Sequence, residues 1–339
     1  MTYTGKGCDI TDFLMEHAGR DPVSFHMPGH KGAGIFRRYG FGDYLDSIVE
    51  CDITEIPGAD NLFDADGIIK NVQDRYAALY GAKASYLLVN GTSGGIIASV
   101  LTAVRPGGKL IMARNCHRSV FNALALTKAE PVYAAPEYIE EYGISGAVSA
   151  DEIRRCLDEH PDADAVILPS PNYYGICSDI RGIADIVHER DKILIVDQAH
   201  GAHLKFFGRC GYDLPEPAED QGADLVINSI HKTLASVTQS AVLNLVSDRA
   251  DRFALEDRLQ MIETSSPSYI LMSFLDMNCR ILDEHEKEAI GDWYGGLNRL
   301  YDRLGGIEGL RVISRDGMDR TKVCIDMSRY GLDGAKLEK

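Results

Sequence analysis

No stretch of the chain approaches the roughly 18–20 apolar residues that a membrane-crossing helix needs. Met1 to Arg20 is polar and mixed, without the apolar core of a secretion signal. Positive charge is also scarce: Lys plus Arg number 35 against 51 Asp plus Glu, a net charge of −16. That balance disfavours sequence-independent nucleic-acid binding, which needs clustered cations. None of the 8 cysteines forms a Cys-x-x-Cys pair, and no Cys/His group has zinc spacing. Scattered reduced thiols are therefore expected, with no metal, in a cytoplasmic protein. Internal repeats and low-complexity tracts are absent. What remains is a chain of 339 residues, 45% hydrophobic and 25% charged. Such a chain fits one large α/β domain or two domains and excludes collagen, coiled coil and disorder.

From about residue 84 the pattern is regular. Strands are expected at 84–89, 109–113, 165–168, 192–196, 223–227 and 241–246. Helices are expected at 94–104, 117–127, 180–190 and from Ser149-Ala150-Asp151-Glu152, which has the form of a capping box, to about His160. Short apolar strands alternating with helices predict a mostly parallel sheet covered on both faces. Ligands in such sheets sit beyond the carboxyl ends of the strands. Residues 1–60 carry Gly- and Pro-rich stretches and read as an extended arm. Residues 280–304 read as one long polar helix, followed by two strands, 310–314 and 322–327, of a smaller unit.

Four strand ends carry polar residues. Asn90-Gly91-Thr92-Ser93-Gly94-Gly95 follows a strand and opens a helix. Free N–H groups, the helix dipole and the hydroxyls of Thr92 and Ser93 suit a phosphate; a tight turn with a Ser/Thr cap suits the same residues. Asp197 ends an apolar strand, where a carboxylate needs a cationic or hydrogen-bonding partner. It reads either as the partner of a protonated ring nitrogen or as a turn cap. Lys232, in Ser229-Ile230-His231-Lys232-Thr233, is either a nucleophilic amine with a lowered pKa or a surface lysine. His117 either stacks on a planar cofactor or caps the next helix. Taken together, a phosphate cradle, a strand-end Asp and a later strand-end Lys are what pyridoxal 5'-phosphate (PLP) requires.

The chain also resembles the major domain of the bacterial Orn/Lys/Arg decarboxylases. The matching stretches are Phe25-His26-Met27-Pro28-Gly29-His30-Lys31-Gly32, Asp52-Ile53-Thr54-Glu55-Ile56-Pro57-Gly58, Leu79-Tyr80-Gly81-Ala82, Val89 to Gly95, Arg114-Asn115-Cys116-His117-Arg118-Ser119, Pro171-Asn172-Tyr173-Tyr174-Gly175, Asp197-Gln198-Ala199-His200-Gly201, Ser229 to Thr233 and Thr264-Ser265-Ser266-Pro267-Ser268-Tyr269. The resemblance implies the PLP-dependent transferase fold of type I, with an N-terminal arm (1–60), a PLP-binding major domain (61–280) and an incomplete small unit (281–339). It implies decarboxylation of lysine, arginine or ornithine to the amine and CO2, by a homodimer with its active site at the interface. The alternatives are another PLP reaction on this fold, an aminotransferase or lyase, or a non-catalytic PLP-binding or dimerising domain.

Roles follow position by position from the resemblance. Lys232 would form the Schiff base and Asp197 would pair with the pyridinium nitrogen. His117 would stack on one ring face and Ala199 would pack on the other. Thr92, Ser93, Gly94, His200, Ser229 and His231 would contact the cofactor, with His231 or Lys232 returning the proton. Ser265 and Ser266 would reach the phosphate in a partner subunit. Asn172 stands where many relatives have Thr, read as a tolerated change near the pocket. Relatives continue past residue 339 into a domain that helps form the substrate site, so substrate choice is left open.

Overall fold

The computed structural model describes residues 9–20, 23 and 28–332. Phe25, His26 and Met27 of the first matching stretch lie outside the described residues. In chain order the strands are β1 (Ala84–Leu88), β2 (Lys109–Ala113), β3 (Glu130–Ala134), β4 (Tyr138–Ile139), β5 (Ile144–Ser145), β6 (Ala165–Pro169), β7 (Ile193–Asp197), β8 (Leu225–Asn228), β9 (Ala241–Leu245), β10 (Arg311–Val312) and β11 (Ile325–Asp326). Seven form one sheet in the order β1-β9-β8-β7-β6-β2-β3. Strands β3, β2, β6, β7 and β8 run parallel. Only β9 is reversed, pairing antiparallel with both β8 and β1. The expected mostly parallel α/β sheet is what the chain builds.

Both faces of the sheet are covered, because strand side chains alternate sides. Leu110, Met112, Ile167 and Ile195 enter one core with the helices Gly91–Ala103, Arg118–Thr127 and Arg252–Ile262. Ile111, Val166, Leu168, Leu194 and Val196 enter the other core with the helices Ala150–Glu159 and Ile180–Glu189. Gly95 lets the first helix approach the sheet: a Cβ there would stand 2.6 Å from Leu88 Cδ1.

Three local expectations are corrected. The capping box at Ser149 is half made. Ser149 Oγ accepts from Glu152 N at 3.1 Å, but Glu152 Oε1 accepts from Ala135 N at 2.8 Å instead of reaching back. The long helix starts earlier, at Tyr269, and runs to Gly305 with a non-helical His285 inside it. Its first half is apolar on one side, with Met272, Phe274, Leu275 and Met277 buried, so it belongs to the core rather than to a polar connector. The described part of the arm is not simply extended. It forms the short helices Gly34–Arg38 and Gly42–Asp46, and Phe36 packs edge-on against Phe274 at 4.9 Å.

The C-terminal strands shrink to the two-residue pair β10–β11. They lean on the large sheet's loops: Asp319 N donates to Gly175 O at 2.7 Å, and Ile176, Ile313 and Met318 share a small core.

Candidate active site

Strands β1, β2, β7 and β8 all point the same way, so their carboxyl ends deliver four polar stretches to one rim. The helix Gly91–Ala103 begins there. Its N-cap Asn90 makes no side-chain cap; Asn90 Nδ2 donates to Ile262 O at 3.0 Å instead. The capped-turn reading of this loop is therefore not what forms, and Asn90 leaves the first-turn N–H groups uncapped. Thr92 Oγ1 lies 3.2 Å from Ser229 Oγ, both buried, which ties the loop to the turn that carries Lys232.

Asp197 is 6% exposed at the end of β7, its Oδ1 accepting from Ala199 N at 3.1 Å. Burial pushes its carboxyl above the ordinary value, against the pull of Lys232, the Ala199 N–H and His117. These opposing pulls place Lys232 and His117 around it and make it a natural partner for a further cation. Ala199 is buried beside it. His117 does cap the next helix: Nδ1 accepts from Ser119 N at 3.3 Å. Capping uses one ring nitrogen, and the ring stays exposed at the rim.

Lys232 follows β8 in the one-turn helix Ile230–Thr233. Burial lowers its pKa, opposed by Asp197, which raises the share of free amine at neutral pH. His231 Nδ1 lies 3.0 Å from Ser240 O, so that nitrogen carries the hydrogen and Nε2 keeps its lone pair. A cavity of about 460 Å³ opens beside Lys232, lined among others by His30, Lys31, Trp293 and Lys322. Gly29 explains part of the Pro-Gly-His-Lys-Gly stretch. Its N–H donates to His231 O at 2.8 Å, and a Cβ would stand 3.0 Å from Lys232 O.

Beneath the rim lies a buried polar network. Glu219 accepts from Gln198 Nε2, Asn228 Nδ2 and Asn244 Nδ2, each at 2.8 Å. Gln198 follows Asp197, and Asn228 precedes Ser229. The network thus fixes the spacing of the β7 and β8 ends from below.

Ser265 and Ser266, expected to serve the site of a partner subunit, are exposed and do not line the cavity beside Lys232. Asn172 has a structural role of its own. It is 4% exposed, donates through Nδ2 to Ser145 O and Gly146 O, and accepts from Tyr174 N and Ile176 N. It holds the turn together, which a Thr side chain with one oxygen would do differently.

Three residues escaped the sequence reading. Lys322 Nζ lies 3.0 Å from His200 Nδ1, while Lys232 Nζ lies 3.4 Å from His200 Nε2. Lys322 arrives from the far end of the chain, so no local signal marks it. Asp319, three residues earlier, forms a buried pair with His203 at 3.0 Å. Glu263, just before Thr264-Ser265-Ser266, lies under the loop. Its Oε2 accepts from Val89 N at 3.1 Å and Asn90 N at 2.9 Å. Burial pushes its carboxyl up to about 7.

The residues present fit PLP. Buried side-chain oxygens without a partner include Asn115 Oδ1, Thr233 Oγ1 and Glu263 Oε1. These belong to the strand-end stretches of His117 and Lys232 and to the loop contact. An unpaired buried polar atom costs about 1–3 kcal/mol, so each of these atoms would gain from a polar partner. The loop's uncapped amides and hydroxyls suit a phosphate. The buried carboxylate suits a protonated ring nitrogen, and the lysine suits an aldehyde.

Comparison with known proteins agrees. The family model for Orn/Lys/Arg decarboxylase, major domain, matches residues 9–322. Arginine decarboxylase of Bacillus subtilis (strain 168) is 35% identical over 338 residues, covering 96% of this chain and 67% of the relative. The constitutive lysine decarboxylase of E. coli aligns with a TM-score of 0.65 at 19% identity, covering 91% of this chain and 46% of that one. A sphingosine-1-phosphate lyase of Burkholderia pseudomallei aligns with a TM-score of 0.68 at 18% identity, covering 93% and 78%. At such identities the two structures establish the fold alone, the PLP-dependent fold of type I. The chain spans less than half the length of the E. coli enzyme.

Proposed function

Since the chain belongs to the Orn/Lys/Arg decarboxylase family, through that family's major domain, we propose that it acts in PLP-dependent decarboxylation of a basic amino acid. The observation that carries this reading is the buried Asp197 held near Lys232 and His117 at the ends of β7, β8 and β2. The Thr92–Ser229 hydroxyl pair connects that group to the loop of β1.

In this reading the first-turn N–H groups of the helix Gly91–Ala103, with Thr92, Ser93, Gly94 and Ser229, hold the phosphate. Asp197 keeps a proton on the facing ring nitrogen, because an ionised carboxylate at 6% exposure is stabilised by an adjacent cation. His117, from its cap position, would contact one face of the ring, and Ala199 would contact the other. Lys232, with its pKa lowered by burial, offers a free amine for attachment. When bound, the cofactor supplies an electron sink for the pair left on Cα as CO2 departs. His231, its Nδ1–H held by Ser240 O, presents Nε2 as the atom that takes or returns a proton.

The reading includes a homodimer with its active site at the interface, Ser265 and Ser266 facing the partner's phosphate, and a cytoplasmic location. Among the described residues no helix is long and apolar enough to cross a membrane.

The test is to add PLP, reduce with borohydride and map the peptides. A phosphopyridoxyl label on Lys232, lost in Lys232→Ala, is expected. Label scattered over surface lysines would defeat the cofactor site. Arginine, lysine and ornithine are then supplied in turn, and amine plus CO2 is the expected product. A keto acid would reassign the chain to amino transfer. A labelled but inert chain would make it a cofactor-binding domain without turnover of its own.

A further inference from the structure

His200 stands between two lysines, Nε2 at 3.4 Å from Lys232 Nζ and Nδ1 at 3.0 Å from Lys322 Nζ. Burial and the two lysines push its own pKa down to about 2, so the ring is neutral at any working pH. A neutral imidazole has one N–H and one lone pair. The nitrogen with the lone pair accepts from an ammonium. The nitrogen with the hydrogen must face a free amine. Both lysines cannot be ammonium while both contacts stand.

From this geometry we propose that Lys322 is a positioning residue that shares one proton with Lys232 through His200. In one state Lys232 is the ammonium, donating to Nε2, while Nδ1–H donates to the Lys322 amine. In the other, Lys232 has given a proton to Nε2 and Nδ1–H has passed to Lys322, now the ammonium. The ring gains one proton at Nε2 from Lys232 and loses one at Nδ1 to Lys322, and net charge is unchanged. The exchange converts Lys232 to the free amine without releasing a proton to solvent.

The surroundings balance the two ends. Asp197 favours the cation on Lys232, and Asp319 favours it on Lys322. His231, His117, Cys324, His30 and Lys31 are further titratable groups nearby, and the edge of Tyr173 closes one side of His200 at 5.8 Å. Asp319 is itself held by His203 and by Thr321 N at 2.9 Å, so it is a fixed charge rather than a competing base.

The inference rests on Lys232 being the cofactor lysine, but its readout needs neither cofactor nor turnover. The rate at which trace acetic anhydride labels Lys232 is measured against pH in the full chain without PLP. Two variants separate a relay from mere packing. In Lys322→Arg the guanidinium stays charged and donates to Nδ1, which turns Nε2–H toward Lys232 and requires the free amine there. The Lys232 titration should move down by about one pH unit, the effect of a nearby fixed cation. In Lys322→Met nothing occupies Nδ1 from that side, and Lys232 can donate to Nε2 as an ammonium. Its titration should move up by about one unit, with roughly tenfold slower labelling near neutrality. Shifts of the same sign, or none, would overturn the proposal.

A second measurement uses the unmutated chain. Nitrogen-15 shifts of the His200 ring should report a neutral imidazole that exchanges tautomer across the Lys232 titration; one tautomer throughout would overturn it equally. Failure to make an amine would remove the decarboxylase reading and leave these results unaffected.

Discussion

Replacing Glu263 with Gln should stabilise the protein above neutral pH and leave it nearly unchanged in acid. Glu263 is 6% exposed, and burial displaces its titration from 4.5 to about 7. Two backbone bonds, from Val89 N and Asn90 N, oppose that shift without cancelling it. Each pH unit corresponds to about 1.4 kcal/mol, so the ionised carboxylate costs the folded state about 3 kcal/mol. The sign follows from linkage: a carboxyl with a raised folded pKa binds its proton more tightly when folded. The penalty is absent below about 4.5, grows between 4.5 and 7, and is constant above 7. Gln keeps an acceptor for the two N–H groups and mimics the protonated acid. Paired urea denaturation of both proteins at pH 5, 6, 7 and 8 checks this. The variant should gain about 1–3 kcal/mol at pH 8, allowing for its unpaired amide, and the gain should shrink toward pH 5. A difference that does not vary with pH, or a wild type more stable at pH 8, would refute the reasoning. Gly94 adds a functional side: a Cβ there would stand 2.7 Å from Glu263 Oε1, so the carboxylate is at the phosphate loop itself. Removing its charge should therefore tighten PLP binding at pH 8 more than at pH 6, read by a PLP titration at each pH.

Asp60→Ala should cost about 2–3 kcal/mol, measured by urea denaturation, because its carboxylate accepts from Asn61 N, Asp66 N, Gly67 N, Ile69 N and Lys70 N. Those bonds outweigh burial and hold its pKa below the ordinary value. Their contribution is present above about pH 4 and is lost as pH falls through that lowered value; equal stabilities of the two proteins at neutral pH would contradict it. Gly95→Ala should cost about 1–3 kcal/mol by overpacking against Leu88 Cδ1 and Ile227 Cγ2. A thermal midpoint equal to that of the wild type would show that the helix shifts freely. Asn172→Thr should lower stability through the loss of two amide donations, a change visible as faster proteolysis in the loop 138–148.

Much of this protein is legible in one dimension. The strands of the sheet are short and apolar on both faces, and the turns that follow them carry the polar residues. A parallel sheet is recognisable from that alone, because covering both faces demands continuous apolar strands. The strand-end rule then gathers Asn90 to Gly94, His117, Asp197 and Lys232 onto one rim. Other features depend on which segments meet. Strand β9 reads like its neighbours, and only pairing reveals its reversed direction. The edge strand β3 mixes exposed and buried residues, Glu130 to Ala134, and gives too weak a pattern to name. Glu152 has the spacing to complete a cap, but Ala135 N offers it a partner that no local pattern contains. Lys322 and Glu263 reach the site through contacts with His200 and with the amides of Val89 and Asn90, from segments distant in sequence. Residue type and spacing decide which side chains carry chemistry. The packing of remote segments decides their charge, because burial and neighbouring ions belong to the folded chain and not to its sequence.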